Sequence, residues 1–288
     1  MSDKQHVDLL IIGSGEAGKN LAWAMASAGQ RVAVVERKLI GGACPNIACL
    51  PSKNIIHSAK VAQFVRRAAE FGIKTGDVTI DMTGVRARKR KMVDGEIRVH
   101  LELYKASGAE LIMGEAHFIA PKTVEVWSND GTGRILSGNQ VVLNLGTHAA
   151  IPDIPGLKAV KPMTHIEALE LERLPEHLVV LGGGFVGLET CAGRFGSRVT
   201  ILERGQQLIG REDPDVAEAI LYLFYLIPKS LTSKACPVRG SSCVCATPMA
   251  NARWRAPISS SLLDGFQILK VLASRRPALK PTTEAIFK

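Results

Sequence analysis

No part of this 288-residue chain approaches the roughly 18 consecutive apolar residues of a membrane-spanning helix. The six-residue segment Val7 to Ile12 is too short for the apolar core of a secretion signal. The sequence therefore predicts a soluble, cytoplasmic protein with no membrane partner. Cysteine is scarce as well: of six, only Cys44, Cys49 and Cys191 precede residue 225. Acidic residues are almost absent from the end of the chain, where residues 225–288 hold 10 Lys/Arg against 2 Asp/Glu. That segment carries +8 of the total charge of +9 and leaves +1 for everything before it, so the basic balance is local. With the run Arg86 to Lys91 read as a solvated helix face, no nucleic-acid partner is expected.

The length suits two domains, and two copies of one pattern fill them. Residues 7–12 read as a parallel strand buried on both faces, followed at once by Gly13, Gly15 and Gly18 in a G-x-G-x-x-G turn. A helix to Gly29 comes next, then a second strand at 31–36 that ends on Glu36. Gly13 suits a tight turn, Gly15 the close approach of a diphosphate at a helix N-terminus, and Gly18 close helix–strand packing. Glu36 is placed to accept hydrogen bonds from ribose hydroxyls.

The pattern recurs with a strand at 177–181, Gly182, Gly184 and Gly187, a helix to Gly196, and a strand ending at Glu203. Two such units imply two dinucleotides. The second helix is two residues shorter, since Gly18 to Gly29 spans 11 residues and Gly187 to Gly196 spans 9. At about 100° per residue that turns its far half away from the first copy's apolar face.

Directly after the first unit stands Gly41-Gly42-Ala43-Cys44-Pro45-Asn46-Ile47-Ala48-Cys49-Leu50-Pro51-Ser52-Lys53, with a helical pattern beyond it. Cysteines five apart at a helix start can come within disulfide range, and a helix N-terminus lowers the pKa of a thiol. The alternative is half of a zinc site, but zinc takes about four ligands and too few partners precede the tail, so no metal is expected. His57 and His165 read as surface or helix-side histidines.

This segment resembles the redox motif of the class I pyridine nucleotide-disulfide oxidoreductases, the family of dihydrolipoamide dehydrogenase, glutathione reductase and mercuric reductase. The likeness extends over roughly residues 5–224, through 111–118, 141–156 and 182–189. It implies an α/β fold with an FAD-binding Rossmann-like domain at 1–155 and an incomplete NAD(P)-binding Rossmann-like domain at 156–224. Cys49 then resembles the thiol lying against the flavin, and Cys44 the thiol that attacks substrate. Lys53 resembles the lysine at the flavin's redox edge and Glu189 its carboxylate partner. Gly42, Ala116, Gly146 and Thr147 resemble FAD contacts. Ala48, where many members have glycine, and Leu145 depart from the family pattern. NADH is favoured over NADPH because Glu203 would repel a 2′-phosphate, although Arg204 stands beside it.

Family members continue with the rest of the NAD domain and a dimerisation domain that supplies a histidine base. Residues 225–288 instead show neither helical nor strand period. Reading each codon from the third base of one residue into the next, 257–269 accommodates D-I-L-V-A-A-G-R-I-P-N-T, which resembles the strand and turn that close the family's NAD domain. The sequence thus predicts a frameshift between about Phe224 and Cys243, with an unstructured or non-native tail. The expected activity is electron transfer from NAD(P)H through FAD to a thiol pair, and on to a thiol/disulfide or metal-ion acceptor, impaired in this chain. Its rivals are a non-enzymatic FAD-binding remnant, and a flavin monooxygenase or oxidase, which leaves Cys44 and Cys49 without a role.

Overall fold

A computed structural model describes residues 4–189, 195–205, 207–225 and 267–270. The chain forms two units, one of residues 1–58 and 81–148, the other of residues 59–80 and 149–288.

The first unit is built on strands β1 (Lys4–Ile12), β2 (Val32–Glu36), β3 (Glu110–Ala120), β4 (Thr123–Ser128) and β5 (Gly133–Leu143). β1 lies between β2 and β5, parallel to both, and β3 runs parallel to β2 on its far side. Both outer strands are 11 residues long and outrun the parallel core. Their extensions pair antiparallel with β4, which closes the five strands into a ring. The expected Rossmann-like arrangement is therefore present, with a meander added that the glycine pattern alone does not announce.

Every residue of β2 is buried, as a parallel strand covered on both faces requires. Alternate side chains serve two cores. Leu10, Ala33, Val35, Val124, Val126 and Leu136 fill the inside of the ring. Leu9, Ile11, Val32 and Val34 pack outward under helices α1 (Glu16–Ser27) and α4 (Met82–Ser107), against Ala22 and Tyr104. Burying each large aliphatic side chain stabilises the unit by about 1.5–3 kcal/mol.

The helix α4 starts where the Asp81 carboxylate accepts from the Thr83 backbone N–H at 2.9 Å, and it stops at Gly108 in the left-handed conformation. The basic run on α4 is largely solvated, with one exception: Lys89 is 1% exposed. Arg88 reaches back to the carbonyl of Asn54, its side chain, and the Ser58 hydroxyl.

In the second unit β6 (His177–Leu181) pairs parallel with β7 (Arg198–Leu202), and α6 (Phe185–Glu189) follows β6. Leu178, Val180, Val199, Ile201 and Leu208 form its core, with Leu221 of α7 (Pro214–Tyr225) packed on it. α5 (His165–Ala168) opens with a capping box in which Thr164 and Glu167 bond reciprocally. Residues 190–194 fall outside the described residues, so the shorter second helix is seen only over its first turn, and Cys191 not at all.

Past residue 225 the described residues are those of β8 (Gln267–Lys270), which pairs parallel with β6 from Leu178↔Gln267 to Leu181↔Lys270. The tail, expected to be unstructured or non-native, has this one strand among its described residues. The backbone of β8 thus lies beside β6 as that of β5 lies beside β1. The remainder of the tail, with Cys243 and Cys245, lies outside the described residues.

Candidate active site

The turn between β1 and α1 is set by backbone packing. Gly13 has φ +100°, where a side chain is strained, and a Cβ there would lie 2.2 Å from the Asn144 carbonyl oxygen. A Cβ on Gly18 would lie 2.3 Å from the Gly13 carbonyl oxygen and 3.2 Å from Ile11, so helix and strand meet without room for a methyl group. At Gly15 the neighbour is the side chain of Asn144, whose Nδ2 donates to the Gly13 carbonyl at 3.3 Å. Gly15 caps α1 with extended backbone and brings no side chain to the helix's first N–H groups. A 12-residue helix with an uncapped N-terminus and a methyl-free approach fits a diphosphate.

The second turn repeats this in detail. The Gly182 N–H donates to Leu202 at 2.8 Å as the Gly13 N–H does to Val35 at 2.8 Å, and Gly182 has φ +107°. A Cβ on Gly187 would lie 2.6 Å from the Gly182 carbonyl oxygen and 3.1 Å from Val180. The Leu188 N–H closes on Gly184 at 3.1 Å, matching Lys19 on Gly15 at 2.9 Å.

The two acids at the strand ends also correspond. Glu36 is buried and its carboxylate accepts four hydrogen bonds. One oxygen takes the Ser14 N–H at 2.9 Å and the Ser14 hydroxyl at 2.8 Å; the other takes the N–H groups of Lys38 at 2.8 Å and Leu39 at 2.9 Å. Burial pushes its pKa up, but these four bonds together outweigh it and hold the carboxyl below its ordinary value. Glu203 accepts from Gly183 at 2.6 Å and Gly205 at 2.7 Å. Each acid thus ties its glycine turn to the loop after its own strand. In Glu36 the roughly four lone-pair sites of a carboxylate are all engaged within the chain, so a ribose hydroxyl would share them.

The cysteine segment breaks into two helices where a single helix start was expected. α2 (Ala43–Ile47) holds Cys44, and Cys49 is the first residue of α3 (Cys49–Arg66). Pro45 and Pro51 sit in the first turns of these helices, where a missing N–H costs nothing. Between them Ala48 has φ −136°, outside the left-handed region that favours glycine. Gly41 and Gly42 carry the loop at φ +84° and +77°.

The loop rests directly on the glycine turn between β1 and α1. A Cβ on Gly42 would lie 2.5 Å from the Gly15 Cα, and the Gly41 N–H donates to the Ser14 hydroxyl at 3.0 Å. Cys44 is half-buried, Cys49 exposed, and both are free thiols within hydrogen-bonding reach of one another. The Cys44 thiol is pushed up to about 11, first by burial, then by the hydrogen bond and charge of Cys49 and by the Glu16 carboxylate; Lys19 pulls it the other way. A helix N-terminus was expected to lower it. α2 is one turn long, and its small dipole is outweighed by burial and by the neighbouring thiol.

Lys53 is exposed on α3 in the first unit, and Glu189 is the exposed last residue of α6 in the second. Ala116 packs against the ring's core on β3, paired with Val126. Gly146 and Thr147 are exposed in the loop after β5, with Gly146 at φ +69°. His57 is exposed and His165 half-buried. Among the described residues no helix is long and apolar enough to cross a membrane.

Four residues at the site were not singled out from sequence: Ser14 and Asn144, which bind the turn, and Lys19 and His100, which lie beneath the cysteine loop. Lys19 carries a usable signal, being a charge on the same helix face as Gly18 and Ala22, both buried.

Two dinucleotide turns of one build, with a thiol pair seated on the first, define the class as an α/β nucleotide-binding protein with a redox-capable cysteine pair. The family model of the pyridine nucleotide-disulphide oxidoreductases matches residues 7–224, and the chain belongs to that family, whose members use FAD and a pyridine nucleotide. It is 37% identical over 229 residues to a mercuric reductase of Acidithiobacillus ferrooxidans, covering 77% of this chain and 42% of that protein. It is 33% identical over 224 residues to a dihydrolipoyl dehydrogenase of Chlorobaculum parvum, covering 76% and 47%. Among solved structures, the Cu(II) complex of the HOCl-induced flavoprotein disulfide reductase RclA from Escherichia coli superposes with a TM-score of 0.68 at 29% identity, over 80% of this chain and 49% of that one. The chain thus spans less than half the length of these relatives.

Proposed function

We propose that this chain takes electrons from NADH, by way of FAD held in the first unit, into the Cys44–Cys49 pair, and delivers them to a small-molecule acceptor, a thiol/disulfide compound or a metal ion. The observation that carries the reading is the seating of Gly42 on Gly15, which fixes the thiol pair to the turn that would hold the cofactor's diphosphate. FAD, when bound, supplies the two-electron relay between nicotinamide and thiols.

In this reading Gly13, Gly15, Gly18, Gly42, Ala116, Gly146 and Thr147 make room for or line the cofactor, and Glu36 orients its ribose. Cys49 faces the cofactor and Cys44 the acceptor, with Lys53 in the role of the family's lysine at the redox edge and Glu189 in that of its carboxylate. Gly182, Gly184, Gly187 and Glu203 hold the nicotinamide nucleotide. A thiolate on Cys44 is the attacking group, since the thiol itself is a poor nucleophile. The mercuric reductases and the RclA Cu(II) complex support metal ions among the acceptors, and the dihydrolipoyl dehydrogenases support a disulfide that is reduced to a dithiol. The family's homodimers are joined through a dimerisation domain, which the sequence of residues 225–288 does not resemble.

We also assign residues 1–155 to FAD binding, 156–224 to part of the NAD(P) domain and 225–288 to a shifted reading frame; sequencing the codons for residues 220–245 decides the last point. A non-enzymatic remnant remains the second reading, favoured by the end of the family match at residue 224.

Anaerobic mixing of the FAD-reconstituted chain with NADH or NADPH separates the readings. The expected result is loss of flavin absorbance with NADH, with an apparent affinity at least about tenfold better than for NADPH, because the Glu203 carboxylate repels a 2′-phosphate. An inert flavin with both nucleotides rejects the enzymatic reading.

A further inference from the structure

The backbone gives no reason for a glycine at position 15. Gly13, at φ +100°, lies where a side chain is strained, but Gly15 has φ −62° and ψ −179°, which any residue adopts. What limits position 15 is the space on its Cβ side. A Cβ there would lie 2.8 Å from Nδ2 of Asn144, 3.6 Å from its Cγ and 3.8 Å from its Oδ1, so the three nearest atoms all belong to one side chain. The same Nδ2 would lie 2.8 Å from a Cβ on Gly18. The amide of Asn144 stands in the gap that these two glycines leave.

Asn144 is fixed to the turn twice. Its backbone N–H donates to the Ile12 carbonyl at 2.8 Å, and its Nδ2 to the Gly13 carbonyl at 3.3 Å. A carbonyl only accepts, so the amide is turned with its nitrogen toward the glycines. That nitrogen carries two donors, and the bond to Gly13, the one hydrogen bond of this side chain among the described residues, uses one of them. The residue is half-buried, not sealed in the core.

We propose that Asn144 is a dinucleotide-binding residue whose second amide N–H donates to the cofactor's diphosphate, and that Gly15 is a glycine in order to admit this amide. A group that approaches the methyl-free side of Gly15 meets Nδ2 first. An amide suits the place, since it adds a donor for an anion beside the N-terminus of α1 and brings no charge that must itself be paired. It also extends the cofactor's border from Gly146 and Thr147 back to the end of β5. The inference rests on the first unit holding FAD, and its test separates the two claims.

The test is FAD binding to the full chain, read by flavin fluorescence, with displacement by ADP and by adenosine. Asn144→Ala should weaken FAD and ADP about tenfold and leave adenosine unchanged, because only the first two carry the diphosphate. Gly15→Ala, whose methyl group pushes the amide aside without backbone strain, should have the same effect. The double variant should lose about tenfold, not about a hundredfold, since both changes remove one contact. Equal losses for ADP and adenosine would mark a turn that is merely distorted and would overturn the proposal. So would Asn144→Ala binding ADP as well as the parent or better, which makes the amide an obstruction, and so would an additive loss in the double variant, which sets the diphosphate against Gly15 itself. If Asn144→Ala does not fold, Gly15→Ala carries the test, and an unchanged ADP affinity is again contrary. A parent chain that binds neither FAD nor ADP rejects the FAD reading as well; a parent that binds both, with variants that match it, rejects this inference alone.

Discussion

Replacing Glu36 by alanine should cost the first unit about 3–5 kcal/mol and lower its melting temperature by roughly 10 °C, before any cofactor is added. The carboxylate accepts from Ser14 twice, from Lys38 and from Leu39, so its removal strands three backbone N–H groups at once. Hydrogen bonds to a buried charge are worth more than neutral ones, and unsatisfied donors carry their full desolvation penalty. The sequence suggests only a ribose contact for this residue. FAD affinity should fall too, about ten- to a hundredfold on the folded fraction, because the glycine turn loses its tie to the loop at 38–39. Calorimetry of apo-protein, wild type against Glu36→Ala and Glu36→Gln, separates the two effects; equal melting temperatures would confine Glu36 to cofactor binding.

The same carboxylate sets a pH dependence whose sign follows from its lowered pKa. A group with a depressed folded-state pKa contributes stability that is fully present above its unfolded value of 4.5 and is lost as pH falls through the folded one. Wild-type stability should therefore drop more steeply below about pH 4.5 than that of Glu36→Gln.

Cys44→Ser should reduce NADH-driven delivery to a disulfide or metal-ion acceptor by about 10³-fold or more, while NADH still bleaches the flavin. A serine hydroxyl forms no disulfide with Cys49 and offers no thiolate, so the pair can neither store two electrons nor attack an acceptor. The Gly42–Gly15 contact is backbone and survives the substitution, so FAD content is expected to be unchanged. Undiminished acceptor turnover in Cys44→Ser, measured as NADH consumed per acceptor reduced, would move the exit route away from the thiols.

The parts of the site legible in the sequence are those written in local spacing. Strands β1, β2, β6 and β7 follow from apolar runs bounded by glycine, and the two turns from G-x-G-x-x-G with an acid at fixed distance. Parallel strands buried on both faces leave such signatures because every residue in them must be apolar. What stayed hidden depends on contacts distant in sequence. Lys19 meets His100 across 81 positions, and Ser14 meets Glu36 across 22. Asn144 reads as an ordinary residue after a strand until β5 is laid beside β1, which brings its amide to the Gly13 carbonyl. The closing of β3, β4 and β5 into a ring depends on strands outrunning their neighbours, which hydropathy does not report. The split of the cysteine helix was visible in Pro45 and Pro51 once each proline is placed in a first turn.

Most direct for the central claim is a count of alkylatable thiols in FAD-reconstituted, air-oxidised protein before and after anaerobic NADH, with peptide mass assigning each label. The account expects Cys44 and Cys49 to be unlabelled before NADH and both labelled after it, one pair gained per flavin. Flavin that is reduced by NADH while the labelling of Cys44 and Cys49 stays unchanged would contradict it.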